Sequence, residues 1–491
     1  MPSLAEIVAA GRRMDTRPWP RAVVTTDAWR DVTHMLAEGR AILLGLWGEP
    51  DAVHMAAMDE ASGGIALVSL ACADGTFPSV GAMHPPAIRL ERAIRDLYGL
   101  EPVGAPDTRP WLDHGRWNES APHVPYPFLP AEGENLHQIP VGPVHAGIIE
   151  PGHFRFHANG EAVVRLEERL GYVHKGIDGL MAGAALERAA QLAGRVSGDS
   201  TAAYALAFSR AVEAALDVDV PPRAIYLRAL MAELERLANH FGDIGAICND
   251  ASFAIMLTHC GILRERTLRA ADACFGHRLM MDCVVPGGVT HDLDAEGIAT
   301  IRALLAEVRR VFPHLVALYD NTASLQDRTV TTGILKPVLA RQFGAGGYVG
   351  RASGRAFDAR RTLGYAPYDA LAFEVPVLQA GDVNARIWVR IREVEQSLGL
   401  VDQILGQLPA GPIRGDLGPR ASGEGVALVE AFRGDLLAFV RIEHGRVARC
   451  HLRDASWFQW PLLEAVIEGN IVADFPLCNK SFNCSYSGHD L

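Results

Sequence analysis

The sequence lacks closely paired cysteines. Its eight cysteines are scattered along 491 residues, and no two of them are separated by only two residues. Disulfide-rich secreted domains need dense cysteines, whereas zinc ribbons and compact iron–sulfur sites need Cys-x-x-Cys pairs. The sequence therefore argues against all three classes, and we expect the chain to hold no metal of its own.

Long apolar runs and an excess of positive charge are also missing. Runs such as AILLGLW and GIALVSLACA are shorter than the roughly 20 apolar residues that cross a bilayer. The chain has 46 Lys and Arg against 58 Asp and Glu, a net charge of −12, which argues against a nucleic-acid partner. The N-terminus has no basic start followed by an apolar core, so no signal peptide is predicted. We expect an intracellular protein that has no transmembrane helix of its own and sits against a membrane partner.

The glycine-rich segment around Gly346, Gly347 and Gly350 is not a dinucleotide-binding fingerprint. It lacks the preceding strand, the following helix and the distal acidic residue that such a fingerprint needs. We therefore predict no direct binding of NAD.

Prolines mark the main boundary of the chain. Ten of the 29 prolines lie between residues 102 and 151, a density that neither a continuous helix nor a central strand accepts. The pattern predicts an α+β fold, with a small α+β domain at 1–120, a Pro-rich linker at 121–140 and a mostly helical domain with flanking β-hairpins at 141–491.

Periodicity supports this division. Most of 176–330, and again 381–408, carry apolar residues at three- and four-residue spacing, which predicts helices. Two segments alternate apolar and polar residues, one interrupted by Asn159-Gly160 and the other by His444-Gly445, and each predicts a hairpin.

Two groups of motifs carry a resemblance to known families. The first group lies in residues 72–112 and consists of FPS at 77–79, ER at 91–92, DLYGL at 96–100 and PDTR at 106–109. The second lies in residues 141–491 and consists of GPVH at 142–145, EPGHF at 150–154, GYVHKG at 171–176, PRA at 222–224, ELERL at 233–237, RASG at 351–354, GDV at 381–383 and VRIRE at 389–393. Residues 72–112 resemble the peripheral-arm subunit of complex I that is often fused to its neighbour. Residues 141–491 resemble the large subunit of membrane-bound, complex-I-related nickel–iron hydrogenases and the related quinone-site subunit of complex I, fused as in the formate-hydrogenlyase type.

The sequence departs from the hydrogenases at the metal ligands. The resemblance implies four cysteine thiolates, but Ser197, Ser200, Ser485 and Gly488 stand at those positions. Hydroxyls are poor substitutes for the soft thiolates that a nickel–iron site needs. The resemblance therefore implies a vacated metal cavity, an acceptor pocket that includes Gly198, and no hydrogenase activity.

In complex I the corresponding cavity receives a quinone headgroup between a histidine and a tyrosine. His145 or His153 matches the histidine, since the loop is two residues longer here, whereas Gly198 stands where the tyrosine is expected. Tyr204 or Tyr486 would replace it only if the fold brings one of them to the cavity. Glu150 matches the proton-transfer glutamate of hydrogenases, and the alternative is that it forms an ion pair with Arg155 or another cation.

The resemblance implies a peripheral subunit on the cytoplasmic face of the cell membrane. Its expected partners are a small subunit that carries an iron–sulfur cluster and antiporter-like membrane subunits. We expect it to pass electrons from that cluster to a quinone or similar acceptor, with coupled ion translocation. The alternative is a scaffold that has lost redox chemistry and only couples the peripheral and membrane arms, because fold alone does not give function.

Overall fold

A computed structural model of the protein describes residues 2–117, 125–145, 149–419 and 421–491. The N-terminal region alternates short helices with strands. Its elements are α1 (Leu4–Ala10), β1 (Arg12–Met14), β2 (Thr16–Arg17), β3 (Arg21–Val23), α2 (Thr26–Ala37), β4 (Ala41–Glu49), β5 (Ala52–Asp59), β6 (Ile65–Ala71), β7 (Thr76–Pro78), α3 (Ile88–Tyr98) and β8 (Glu101–Val103).

The rest of the chain is richer in helices. Its elements are β9 (His137–Val141), β10 (His153–Asn159), β11 (Ala162–Arg169), α4 (Ile177–Met181), α5 (Leu186–Ala193), α6 (Thr201–Leu216), α7 (Pro222–Asp250), α8 (Ala254–Phe275), β12 (Val284–Val285), β13 (Gly288–Val289), α9 (Ala295–Asp320), α10 (Ala323–Thr329), α11 (Pro337–Gln342), α12 (Gly347–Ala352), α13 (Ala359–Thr362), α14 (Val383–Gln407), β14 (Gly423–Ala431), β15 (Gly434–Glu443), β16 (Arg446–Arg453), α15 (Ser456–Ile467), α16 (Phe475–Phe482) and α17 (Tyr486–Asp490).

These elements confirm the predicted α+β class. The first predicted hairpin is formed by β10 and β11, and Gly160 in its turn has φ +57°. The second is formed by β15 and β16. The predicted long helix is α14, which begins after the N-cap Asp382, whose side chain accepts a hydrogen bond from the Ala385 N–H. Among the residues that the structure describes, no helix is long and apolar enough to cross a membrane.

The predicted linker at 121–140 falls partly outside the described residues, which resume at 125. Its last residues belong to β9, which is the edge strand of a three-stranded sheet in the order β11-β10-β9. The domain boundaries themselves stay a prediction.

The N-terminal region packs directly on the C-terminal sheet. Strand β2 pairs in parallel with β14, which adds it to a sheet in the order β16-β15-β14-β2. The other N-terminal sheet has the order β1-β3-β6-β5-β4. Its strand β4 is buried along its whole length, as expected of a strand covered on both faces.

Residues of β4 enter two different cores. Leu43 and Leu46 belong to the main core of the molecule. Trp47 belongs to a second cluster that also contains Leu437 and Phe439 of β15. The two ends of the chain therefore share one buried sheet-to-sheet contact.

Candidate functional site

A cavity of about 360 Å³ lies between the loop that precedes α6 and the chain segment that joins α16 to α17. Asn483 ends α16 in the left-handed conformation, and Ser485 then caps the N-terminus of α17. This sharp turn brings the C-terminal segment against the loop of Ser197. The cavity is lined by residues that include Glu150, Ser197, Gly198, Asp199, Arg433, Lys480, Cys484, Ser485 and Tyr486.

Two of the three serines that stand at the expected ligand positions, Ser197 and Ser485, meet at this cavity, whereas Ser200 and Gly488 do not line it. The Oγ atoms of Ser197 and Ser485 are 3.1 Å apart. Ser485 Oγ also accepts a hydrogen bond of 2.8 Å from the Gly488 N–H. A Cβ atom on Gly488 would lie 2.8 Å from Asp454 Oδ2 and 2.9 Å from Ser485 Oγ, so this close approach requires glycine.

In place of the expected thiolates, the site holds an ion pair between the buried Arg433 and the half-buried Asp199. Arg433 donates to Asp199 Oδ1 over 2.9 Å and to Ser200 Oγ over 3.1 Å. Ser197 Oγ donates to the same Asp199 oxygen over 2.6 Å. Burial opposes ionisation of Asp199, but the Arg433 guanidinium and the Ser197 hydroxyl outweigh it and lower the pKa of Asp199.

Sequence reasoning missed both members of this ion pair. Asp199 lies between Ser197 and Ser200 in the chain, and this position could have indicated that it belongs to the site. Arg433 lies in the turn between β14 and β15, more than 200 residues away in sequence, at 433 against 199. Only the sheet that carries this turn places the guanidinium at the cavity.

Glu150 lies on the cavity wall. Its Oε2 accepts a hydrogen bond of 3.0 Å from the Ser487 N–H. The Arg155 guanidinium lies 3.9 Å from the centre of the Phe128 ring, and no ion pair joins it to Glu150 in the described part of the chain. Glu150 therefore contacts the same C-terminal segment as Ser485.

One of the two substitute tyrosines reaches the cavity. Tyr486 lines it, and the centre of its ring is 6.3 Å from that of His145 and 4.8 Å from that of Trp460. Burial raises the pKa of the Tyr486 hydroxyl, and it lowers the pKa of His145 together with the nearby Lys480 charge. Both side chains are therefore uncharged near pH 7. Tyr204 does not take this role, because its buried hydroxyl donates to Asp454 over 2.8 Å.

Comparisons with known proteins place the chain in a family. Residues 23–127 match the model of the respiratory-chain NADH dehydrogenase 30 Kd subunit, and residues 250–420 match that of the 49 Kd subunit. The chain is 33% identical over 438 residues to formate hydrogenlyase subunit 5 of Escherichia coli K12, covering 84% of this chain and 77% of that protein. The chain belongs to this family of fused complex-I-type and hydrogenase-type subunits.

Two further comparisons agree with this assignment. An NADH-quinone oxidoreductase subunit of Desulfotalea psychrophila is 30% identical over 339 residues, which cover 68% of this chain and 91% of that protein. A chain of the archaeal membrane-bound sulfane sulfur reductase superposes with a TM-score of 0.69 at 25% identity, covering 73% of this chain and 99% of that chain. These relatives are named as parts of respiratory or membrane-bound complexes.

The second candidate histidine of the family loop lies in strand β10. His153 Nδ1 is 3.3 Å from the Gly142 carbonyl oxygen, and its ring lies 5.2 Å from that of Phe128. His157, four residues further along the same strand, contacts Gln138 over 3.0 Å. The described residues contain no group of three or more His, Cys, Asp or Glu side chains arranged to hold a metal ion.

The family motif at 233–237 contributes a buried acid behind the cavity. Glu235 accepts hydrogen bonds from the Ala202 N–H over 2.7 Å and the Ala203 N–H over 3.1 Å, at the N-terminus of α6. Asn239 links it to Asp199, because its Nδ2 donates to the carbonyl oxygens of both Asp199 and Glu235. Burial raises the pKa of Glu235 to about 8.

We expect Glu235→Gln to lose less stability than the wild type as the solution becomes alkaline. Because the pKa of Glu235 is raised from 4.5 to about 8, the folded protein binds the proton of this carboxyl more tightly than the unfolded chain does between those two pH values. The wild type therefore loses stability as pH rises through that range. The melting temperature of the variant relative to wild type should increase by about 3 °C between pH 5 and pH 8.5. A difference that does not change with pH would contradict the raised pKa.

Proposed function

We propose that this subunit passes electrons from a partner iron–sulfur subunit to a quinone or similar acceptor bound in the cavity at Ser197 and Ser485. The observation that carries the proposal is that this cavity is open and has Tyr486 on its wall, next to His145. In the complex-I-type relatives that the sequence resembles, a quinone headgroup binds between a histidine and a tyrosine. The matched relatives include proteins named as NADH-quinone oxidoreductase subunits, which supports a quinone as the acceptor.

A nickel–iron centre does not fit these residues. The structure places two hydroxyls, Ser197 and Ser485, together at the cavity, and Gly488 has no side chain to offer. Cys484 is the one cysteine among the lining residues, and burial raises the pKa of its thiol, which disfavours the thiolate. Hydrogen is therefore not the proposed substrate.

The residues of the cavity have separate proposed roles. Reduction of a quinone to a quinol consumes two electrons and two protons, and negative charge develops on the carbonyl oxygens as the electrons arrive. Arg433 and Lys480 stabilise that charge, and the Tyr486 hydroxyl donates a hydrogen bond to one oxygen. Glu150 transfers protons to the reduced acceptor, which its place on the wall allows.

In this proposal the subunit sits on the inner face of the cell membrane. It docks on the small iron–sulfur subunit and on antiporter-like membrane subunits, and acceptor reduction drives ion translocation. A second candidate function is a coupling scaffold without redox chemistry. It is favoured by one observation: the Arg433–Asp199 ion pair neutralises two charges at the place where the acceptor would bind.

We expect closure of the cavity to stop acceptor reduction. Gly198 lines the cavity, and a Cβ atom built on it meets no atom within 4 Å, so Gly198→Trp fills the cavity without a backbone clash. The rate at which the purified complex, reduced with methyl viologen, reduces decylubiquinone should fall at least about tenfold, since the ring occupies the acceptor's place.

The matched control is Gly406→Trp, because Gly406 also has open space around its Cβ and lies in α14. This control should keep at least half of the wild-type rate. An undiminished rate in Gly198→Trp would show that the acceptor binds elsewhere. No quinone reduction by the wild-type complex, with its iron–sulfur cluster reduced, would favour the scaffold function instead.

A further inference from the structure

A second cavity, of about 280 Å³, lies where the N-terminal region meets the C-terminal sheet and the C-terminal segment. Strand β4 and helix α3 form one side of it, and α4, β16 and residues 490–491 form the other. It shares no lining residue with the cavity at Ser197. The proposed function does not use it.

The wall of this cavity is mostly apolar and aromatic. Leu46, Leu90 and Ile94 contribute aliphatic side chains, and Trp47 and Trp457 contribute indole rings. The ring of Trp47 stacks on that of His451 at 5.0 Å between centroids and 14° between planes. The ring of Trp457 stacks on that of His489 at 4.0 Å. Together these side chains give the cavity an apolar wall, which suits a flat apolar ligand.

Five of the lining side chains each carry a buried polar atom that has no hydrogen-bond partner within the described ranges. The atoms are Trp47 Nε1, Trp457 Nε1, Arg449 Nε, His451 Nε2 and Asp178 Oδ1. Both tryptophans are more than nine-tenths buried, with 2% and 3% of their surface exposed. A buried polar group left unpaired costs about 1–3 kcal/mol, so such groups rarely gather without a ligand to satisfy them.

The charges around the cavity select against an anion. Arg449 pairs with Asp178 over 3.2 Å, and Asp490 adds a second carboxylate. Burial outweighs the attraction of Asp178 and lowers the pKa of His451, so this imidazole is neutral near pH 7. The other polar lining groups are Tyr98 and His174, whose Nδ1 lies 2.8 Å from the Asp490 carbonyl oxygen. One positive and two negative side chains leave an excess of negative charge.

The unpaired atoms also indicate which polar group the ligand carries. Three of them, the two indole nitrogens and Arg449 Nε, are N–H groups that only donate hydrogen bonds. A carbonyl oxygen accepts such bonds without adding charge. A volume of about 280 Å³ is at the lower limit of ordinary ligand pockets, which suits one or two rings.

We propose that this cavity binds an uncharged aromatic carbonyl compound of one or two rings. Its flat skeleton packs on this apolar wall. A rotation of Trp47 or Trp457 exposes the indole N–H, which is closed off in the unbound structure, and the N–H donates a hydrogen bond to the carbonyl oxygen of the ligand. Because both ends of the chain build the wall, a bound ligand would also strengthen the contact between the N-terminal region and the C-terminal sheet.

Three probes of similar size test the proposal by isothermal titration calorimetry on the full chain. They are 1-acetylnaphthalene, which carries a carbonyl, 1-ethylnaphthalene, which lacks it, and 1-naphthoate, which is charged. We expect 1-acetylnaphthalene to bind at least fivefold more tightly than either of the others, because one hydrogen bond to a buried donor is worth about 1 kcal/mol. Equal binding of the first two, tightest binding of 1-naphthoate, or no binding of any probe would each overturn the proposal.

Two variants locate the binding. Gly179 lines the cavity and has open space around its Cβ, so Gly179→Phe should abolish binding, whereas Gly261→Phe, with equal space in α8, should not. The double variant Trp47→Phe/Trp457→Phe keeps the rings but removes both donors, and it should bind the acetyl and ethyl compounds equally. Binding that survives Gly179→Phe would place the ligand elsewhere. Gly198→Trp should leave it unchanged, which separates this test from that of the acceptor cavity.

Discussion

Replacing Arg351 with methionine is expected to lower the free energy of unfolding by about 3–5 kcal/mol, the cost of removing one partner from a buried ion network. Arg351 is fully buried. Its guanidinium donates to Glu393 Oε1 and to Glu430 Oε1, each over 2.8 Å, and to the Phe357 carbonyl oxygen over 3.0 Å. Methionine fills much of the same space but leaves both carboxylates without that donor.

The loss of stability in Arg351→Met should become smaller as the pH falls. Burial opposes ionisation of Glu393, yet Arg351 and His240 outweigh it and lower the pKa of this carboxyl. Without the guanidinium the pKa of Glu393 rises above its unfolded value, so the folded variant gains a proton that the unfolded chain lacks. The stability deficit of the variant is therefore expected to shrink between pH 7 and pH 5.

Chemical denaturation of wild type and variant at the two pH values measures both effects. The control is Arg361→Met, because Arg361 is exposed and lies in the neighbouring helix α13. It should change stability by less than about 0.5 kcal/mol, as surface substitutions commonly do. A deficit below about 1 kcal/mol in Arg351→Met would mean that the network is held by its other cations.

Replacing Arg433 with glutamine is expected to lower acceptor reduction by at least about a hundredfold, the usual effect of removing one preorganised donor from a developing negative charge. The guanidinium holds Asp199, Ser200 and the Asn483 carbonyl oxygen, to which its Nε donates over 2.6 Å. The variant loses both the charge at the cavity and the group that orders three segments around it. The rate of decylubiquinone reduction by the purified complex measures the effect.

Two further variants separate charge from geometry at this site. Arg433→Lys keeps the charge but not the planar fork that contacts both oxygens of Asp199, so only part of the rate should return. Lys480→Gln removes a second lining cation that does not organise the loop, and a loss below about tenfold is expected. An Arg433→Gln rate within threefold of wild type would remove Arg433 from the proposed chemistry and favour the scaffold function.

Local chemistry explains why much of the fold could be predicted. The Asn159-Gly160 turn and the apolar spacing of α14 depend on neighbouring residues, and both predictions are confirmed. The pairing of β2 with β14 joins residues about 408 positions apart, as in the hydrogen bond of Thr16 to Glu424, and no local pattern encodes it. Such non-local pairings depend on the folded chain as a whole.

Only part of the candidate site could be predicted from the sequence, because non-local contacts bring its other residues together. The positions of Ser197 and Ser485 follow from motifs, and their 3.1 Å contact is consistent with those motifs. Arg433 belongs to no recognisable motif, so the sequence did not indicate it. The choice between Tyr204 and Tyr486 depends on the turn at Asn483, which brings the Tyr486 ring to the cavity, whereas the Tyr204 hydroxyl donates to Asp454. Orientation at a buried site is set by packing that single-sequence patterns do not contain.

The double-sided burial of β4 also has a consequence for assembly in the cell. If the N-terminal region and the rest of the chain were separate polypeptides, the contact of Trp47 with Phe439 would be an intermolecular interface that forms only at sufficient concentration of both chains. Covalent linkage replaces that bimolecular encounter with a high effective concentration. It also fixes their ratio at one to one, so that every apolar face of β4 is made together with the sheet that covers it.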